Sequence, residues 1–183
     1  TRSTTVTGVQ TCALPILKNV VQAAGFEITA LLDEPTAANK LLKVEDGAVV
    51  DIGGGTTGIS IIRKGRVVHV EDEATGGTHF TLVISGSYKM PFDEADAYKR
   101  DRKNHKEIFP VVKPVIEKIS MIISEAVKDY PLNHLVLVGG SCCLTGIEKI
   151  IGEMTGFITE KPENPMFVTP LGIALSCTTD ILP

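Results

Sequence analysis

The chain has 183 residues, is 43% apolar and 22% charged, carries a formal net charge of −4, and holds 4 cysteines and no tryptophan. That length supports one domain with a sizeable core, which must be built mainly from Val, Ile, Leu and Ala because aromatics are scarce. The acidic balance gives no electrostatic case for nucleic acid or an anionic membrane, no apolar run reaches membrane-spanning length, and the unevenly placed cysteines suggest no disulfide framework, which suits a reducing cytosol.

In chain order, the first stretch stands apart. Val6–Ile16, VTGVQTCALPI, looks like the in-frame translation of a widely used sequencing-adapter oligonucleotide, although an irregular Thr-rich tail would have the same composition. Residues 1–16 are therefore excluded from the fold, Cys12 is given no meaning, and the natural protein is expected to continue upstream of Leu17. Leu17–Gly25 has helical apolar spacing and a glycine stop. FEITALLDE, residues 26–34, reads as a buried strand, and EPTAANKLLKV as a helix with Pro35 in its first turn. From Gly47 the period changes. GAVVDI, GISIIRKG and RVVHVEDEA predict three strands in an antiparallel meander.

GGTHFTLVISGSY and DEADAYKRDRKN are predicted helices. The longest helix is expected over Phe109–Tyr130, with Val112, Val115, Ile116, Ile119, Ile122, Ile123 and Ala126 as its apolar stripe and Lys118, Glu125 and Lys128 outward. Pro114 must lie in its first turn or cause a kink. HLVLVGG reads as a strand covered on both faces, CLTGIEKIIGEM as the helix after it, and TPLGIALSCT as a last helix. The order βββ–α–α–β–α predicts an α/β domain with a mixed sheet and helical cover.

The segment from Val50 to Gly58, VDIGGGTTG, contains G-x-G-x-x-G taken literally. The dinucleotide reading needs a helix after the glycines, and ISIIRKGRVVHV follows instead, so that context fails. A P-loop is absent as well. What remains is a hairpin turn in which glycines permit positive φ and let N–H groups converge on an anion. Asp51 can hold magnesium-bound water there, and the Thr56 and Thr57 hydroxyls can bond phosphate oxygens. An ordinary glycine-rich β-turn is the bland competitor. A second element, Val138-Gly139-Gly140-Ser141, sits where an apolar strand gives way to a helix, another place where backbone can approach a ligand.

Together these motifs resemble those of the actin, DnaK-type chaperone and hexokinase superfamily. DEPTAANKLL resembles the first connecting motif, VVDIGGGTTGISII the second phosphate motif, LVLVGGSCCLTGIEKI the adenosine motif and, more weakly, NPMFVTPLGIAL the second connecting motif. The first phosphate loop would belong upstream. Within the superfamily, the short insert and the stretch DEATGGTHFTLVISG are similar to the EutJ family of ethanolamine utilisation. The resemblance implies an actin-like (ribonuclease H-like) ATPase fold with an incomplete first lobe. It divides the chain into the adapter-like residues 1–16, a first-lobe remnant and connecting helix at 17–44, a second lobe at 45–165 and a C-terminal connecting helix at 166–183.

The resemblance also assigns roles. Glu34 would act through magnesium-bound water near the γ-phosphate, with Pro35 at a conformational-switch position. Asp51 would be the second acid facing metal or attacking water, and Gly53, Gly54, Gly55 and Thr56 would cradle phosphate. Gly76 and Gly77 would lie close to phosphate or ribose. Asp96 would take the ribose hydroxyls while Lys99 and Arg100 flank adenine, and Gly139, Gly140 and Ser141 would bound the adenosine pocket. Two bland readings stand beside these: Asp96, Lys99 and Arg100 as a solvated helix face, and Glu34 as a first-turn residue complementing its helix dipole. Cys142 and Cys143 read as small buried cysteines, and no histidine is given a role. Cys143 replaces an arginine that stacks on adenine in DnaK-type proteins, and Met166 replaces an aspartate, which implies weaker adenine binding and slow hydrolysis.

The implied function is an ATP- and Mg2+-binding, slowly hydrolysing chaperone-like or assembly protein of ethanolamine utilisation in bacterial microcompartments. It would be cytoplasmic, with microcompartment enzymes or shell proteins as partners. An actin-like structural or membrane-recruitment adaptor, of the cell-division or pilus-assembly type, is the alternative. A sugar or acetate kinase is disfavoured because no acceptor-substrate motif is recognisable. The chain alone is expected to bind ATP poorly, since the first phosphate loop is not in it.

Overall fold

The computed structural model describes residues 8–28 and 34–177. Two compact units, residues 1–33 and 34–183, divide before Glu34. In the first, helix α1 (Gly8–Ala23) covers the expected helical stretch and begins upstream of it, with Pro15 inside. Its stop follows from Gly25, at φ +85°. The Gly25 N–H donates to Gln22 O at 3.0 Å and the Phe26 N–H to Val21 O at 3.2 Å, the paired bonds of a left-handed glycine cap. Of the strand expected over 26–34, residues 26–28 have no regular structure and residues 29–33 lie outside the described residues.

The larger unit opens with helix α2 (Glu34–Leu42). The meander follows as β1 (Asp46–Ile52), β2 (Thr57–Arg63) and β3 (Arg66–Glu73). Both pairings are antiparallel, with Val50 opposite Ile59 and a bulge at Ile61/Ile62 against β3. After helices α3 (Gly77–Tyr88), α4 (Phe92–Arg100) and α5 (His105–Val127), β4 (His134–Val138) returns parallel to β1, setting Leu135 beside Ala48. Helix α6 (Ile147–Thr155), strand β5 (Ile158–Glu160) and helix α7 (Val168–Cys177) complete the unit. The sheet order is β3-β2-β1-β4-β5. It is the mixed sheet that the pattern predicts, plus β5, which at three residues is too short to show a period.

Both faces are covered, so β1 and β4 are buried nearly throughout. One face presents Ala48, Val50, Ile59, Ile61, Leu135 and Leu137 to Phe80 and Ile84 of α3, the α5 stripe, and Ile147 and Ile151 of α6. The other presents Val49, Ile62, Val136 and Val138 to Ala38 of α2 and Val168 of α7. Within the stripe, Val112, Ile116, Ile119, Ile123 and Ala126 are buried, and Lys118, Glu125 and Lys128 are exposed as expected.

Helix α5 runs from His105 to Val127, earlier at both ends than the expected Phe109–Tyr130. It starts at His105, so Pro110 and Pro114 both lie inside it and neither occupies the first turn. Each proline lacks an N–H, freeing the carbonyl four residues back, at Lys106 and at Pro110 itself. Those two residues are exposed, so water can serve the freed carbonyls and the helix continues.

Candidate functional site

Three glycine-bearing turns meet at the carboxyl ends of β1 and β4. The first joins β1 to β2. Ile52 pairs with Thr57, leaving residues 53–56 as the turn, which the Gly53 N–H closes on Thr56 O at 3.0 Å. Gly54, Gly55 and Thr56 are exposed. Gly53, Gly54 and Gly55 do not use the positive φ that glycine permits. The absent Cβ matters instead where the second turn approaches. A Cβ on Gly76 would lie 2.9 Å from both Gly53 O and Gly54 O, and one on Gly77 would lie 2.5 Å from Ser141 Oγ. This closeness lets the first amides of α3 grip the glycine loop. The Gly77 N–H donates to Gly53 O at 2.9 Å and the Thr78 N–H to Gly54 O at 2.7 Å.

Thr57 is fully buried, and its hydroxyl donates to Thr75 O at 2.6 Å. The hydroxyl expected to bond phosphate oxygens is thus turned inward, pinning the hairpin to the chain that leads into α3. Thr56 keeps an exposed position beside it.

The third turn follows β4. Gly139 has φ +93°, and a Cβ there would sit 2.3 Å from Asp51 Oδ1 and 2.6 Å from Ile52 O, so this position needs glycine on both counts. Its N–H donates to Pro165 O at 3.0 Å. Gly140 and Ser141 begin a 3-10 turn, and the Ser141 hydroxyl donates to Gly53 O at 2.8 Å. The two motifs singled out in the sequence, 88 residues apart, are in direct contact.

Asp51 stands between them, half-buried near the end of β1. Burial pushes its carboxyl above the ordinary carboxylate range, the Thr169 hydroxyl opposes that shift by donating to Oδ2 at 3.2 Å, and the Asp72 charge adds a smaller upward push. Glu34 is exposed at the first position of α2. Among the described residues no group of three His, Cys, Asp or Glu side chains is placed to hold a metal. One carboxylate with neighbouring hydroxyls suits Mg2+ held largely by water and phosphate oxygens, which is how that ion is usually bound.

Asp96, Lys99 and Arg100 form a cluster rather than a fully solvated face. Lys99 Nζ lies 2.8 Å from Asp96 Oδ1 and donates to Thr81 Oγ1 at 2.7 Å and Gly77 O at 2.9 Å. The Lys99 contact, more than any other, holds the Asp96 carboxyl below its usual range. Arg100 pairs with Asp96 Oδ2 at 2.6 Å but is 76% exposed, the most solvated member. Lys99 thereby ties α4 to the glycine that touches Ser141.

Several contributors escaped sequence reasoning. His79 Nδ1 accepts the Gly76 N–H at 3.2 Å. His105, only 5% exposed, accepts the Thr145 N–H at Nδ1 (3.1 Å) and approaches Lys99 O through Nε2 (3.1 Å), joining α4 to the loop before α6. Lys161 donates to Cys142 O and Leu144 O, each at 3.1 Å. Thr169 lies in the segment that reads as the last helix and as a weaker connecting motif, neither of which gives it a role. Cys142 is buried, its thiol donating to Val138 O at 2.8 Å and pushed far above the usual thiol range by burial, while Cys143 is half-buried. A hollow of about 760 Å3 between Leu42–Asp46 and Glu160–Pro162 is lined by none of the glycine turns.

The family described as type IV pilus assembly protein PilM matches residues 21–167. The chain is similar to the ethanolamine utilization protein EutJ of Salmonella typhimurium, at 44% identity over 159 residues, which are 86% of this chain and 56% of that protein. It thus spans little more than half of that relative. It is also similar to the crystal structure of EutJ from Carboxydothermus hydrogenoformans, at 50% identity and a TM-score of 0.81, over 86% of this chain and 59% of that one. MreB5 of Spiroplasma citri bound to AMPPNP superposes with a TM-score of 0.80 at 21% identity, over 95% of this chain and 66% of that one. At that identity the likeness concerns the fold.

Proposed function

For a chain that belongs to the PilM family and has the actin-like ATPase fold, we propose an ATP- and Mg2+-binding role in ethanolamine utilisation, as a slowly hydrolysing, chaperone-like or assembly protein. The observation that carries the nucleotide reading is the Ser141–Gly53 hydrogen bond, which brings both glycine turns against Asp51. Exposed backbone at Gly54 and Gly55 and the Thr56 hydroxyl would cradle phosphate. Gly139, Gly140, Ser141 and the Asp96–Lys99–Arg100 cluster would bound the nucleoside. Asp51 and Glu34 would orient the water around Mg2+, whose charge would offset that of the phosphates. The similarity to EutJ proteins supports the pathway assignment. A cytoplasmic place, with microcompartment enzymes or shell proteins as partners, belongs to the same proposal. Among the described residues no helix is long and apolar enough to cross a membrane.

Calorimetric titration of the full-length protein with Mg·ATP tests this. Saturable binding is expected, weakened roughly tenfold or more by Asp51→Ala, as loss of a charged contact predicts. Identical titrations of the two proteins would remove the site. The PilM family match favours a second reading, an adaptor that uses nucleotide to set conformation or polymer state. Nucleotide-dependent sedimentation would support it, and monomers in every nucleotide state would oppose it.

A further inference from the structure

The Asp51 carboxylate is fixed from two sides by residues that belong to different elements. Its Oδ1 lies over Gly139, where even a methyl group would collide at 2.3 Å. Its Oδ2 accepts the hydroxyl of Thr169 at 3.2 Å, across 118 residues of sequence. Thr169 is in the first turn of α7, where the helix dipole favours a nearby anion. The same short segment makes two further contacts. Pro165 O accepts the Gly139 N–H, and Gly172 packs so tightly on α2 that a Cβ would meet Ala37 O at 1.9 Å. Residues 165–172 therefore touch the acid, the adenosine-side turn and α2 together.

We propose that Thr169 is a positioning residue for Asp51: its hydroxyl holds the carboxylate in one orientation and ties it to α7, and through Gly172 to α2. The inference rests on the nucleotide reading above. Without the hydroxyl, a half-buried carboxylate keeps its desolvation but loses a charge-assisted partner, and it can turn or recruit its own water. Valine at this position preserves shape and branching while removing the donor. Serine preserves the donor while removing the methyl group.

Nucleotide affinity of the full-length protein, measured with a fluorescent ATP analogue in magnesium and in EDTA, separates the roles. In Thr169→Val the affinity in EDTA should be unchanged, whereas the gain on adding magnesium should shrink roughly tenfold, the scale of one hydrogen bond to a charged group. Thr169→Ser should restore that gain, and thermal melts of all variants report whether they fold. An undiminished magnesium gain in Thr169→Val would overturn the inference, as would an equal loss in both buffers that serine fails to rescue. Should Asp51→Ala lose the gain while Thr169→Val keeps it, the nucleotide site stands and only the role of Thr169 falls. Absence of any binding by the unaltered protein would end both.

Discussion

Gly139 and Gly54 both line the candidate site, but only Gly139 lacks room for a side chain. Gly139→Ala must accommodate φ +93° and a methyl group against Asp51 and Ile52, so it should cost about 2–4 kcal/mol of unfolding free energy. Gly54 has open space within 4 Å and an ordinary φ, and Gly54→Ala should stay within about 0.5 kcal/mol. Urea denaturation of both variants checks the contrast. His105 yields a pH prediction of definite sign. Burial is the main cause that lowers its pKa; the Lys99 carbonyl and the Asp101 charge raise it, while the Arg102 and Lys161 charges lower it. The folded state therefore disfavours the proton. Its contribution to stability is complete above the unfolded value near pH 6.5 and is lost as pH falls through the lower folded value. Melting temperature should drop on acidification below pH 6.5, and His105→Asn should flatten that part of the curve.

At the scale of elements, the crossing of α2 and α7 is the most tightly specified contact. Gly172→Ala would drive a methyl group into the Ala37 carbonyl and should destabilise by more than about 2 kcal/mol. Gly86, exposed in α3 with nothing within 4 Å, offers the opposite outcome. Gly86→Ala should stabilise by about 0.5–1 kcal/mol by restricting the unfolded chain. Thermal unfolding of the pair distinguishes packing from backbone entropy. The contrast also marks what a sequence can convey. Strands β1 to β4 and helices α2 to α7 were legible because each shows a period or a glycine boundary. The inward turn of the Thr57 hydroxyl and the absence of positive φ at Gly53–Gly55 were not, because both depend on α3 arriving from elsewhere in the chain. The reach of Thr169 to Asp51 was hidden likewise, since no local pattern records a partner 118 residues away.

On the scale of the whole molecule, α7 and the turn before it expose apolar side chains: Phe167 is 50% exposed, Leu171 51% and Ile173 47%. Leu171 and Leu175, the latter 44% exposed, are four residues apart in α7 and share a helix face, and exposed apolar side chains grouped this way promote association. Purified on its own, this chain should associate with increasing concentration, and Leu171→Glu should reduce that association in light scattering. The fold class was legible as an ordered series of motifs, whereas the division before Glu34, which groups α2 with the larger unit, needed coordinates. The amides of Gly77 and Thr78 that hold Gly53 O and Gly54 O carry a thermodynamic corollary. If the proposed site binds phosphate, a glycine loop braced from behind by a helix start enters the encounter already shaped, so little chain entropy remains to be surrendered there. Calorimetry of Mg·ATP binding should then find a small ordering penalty.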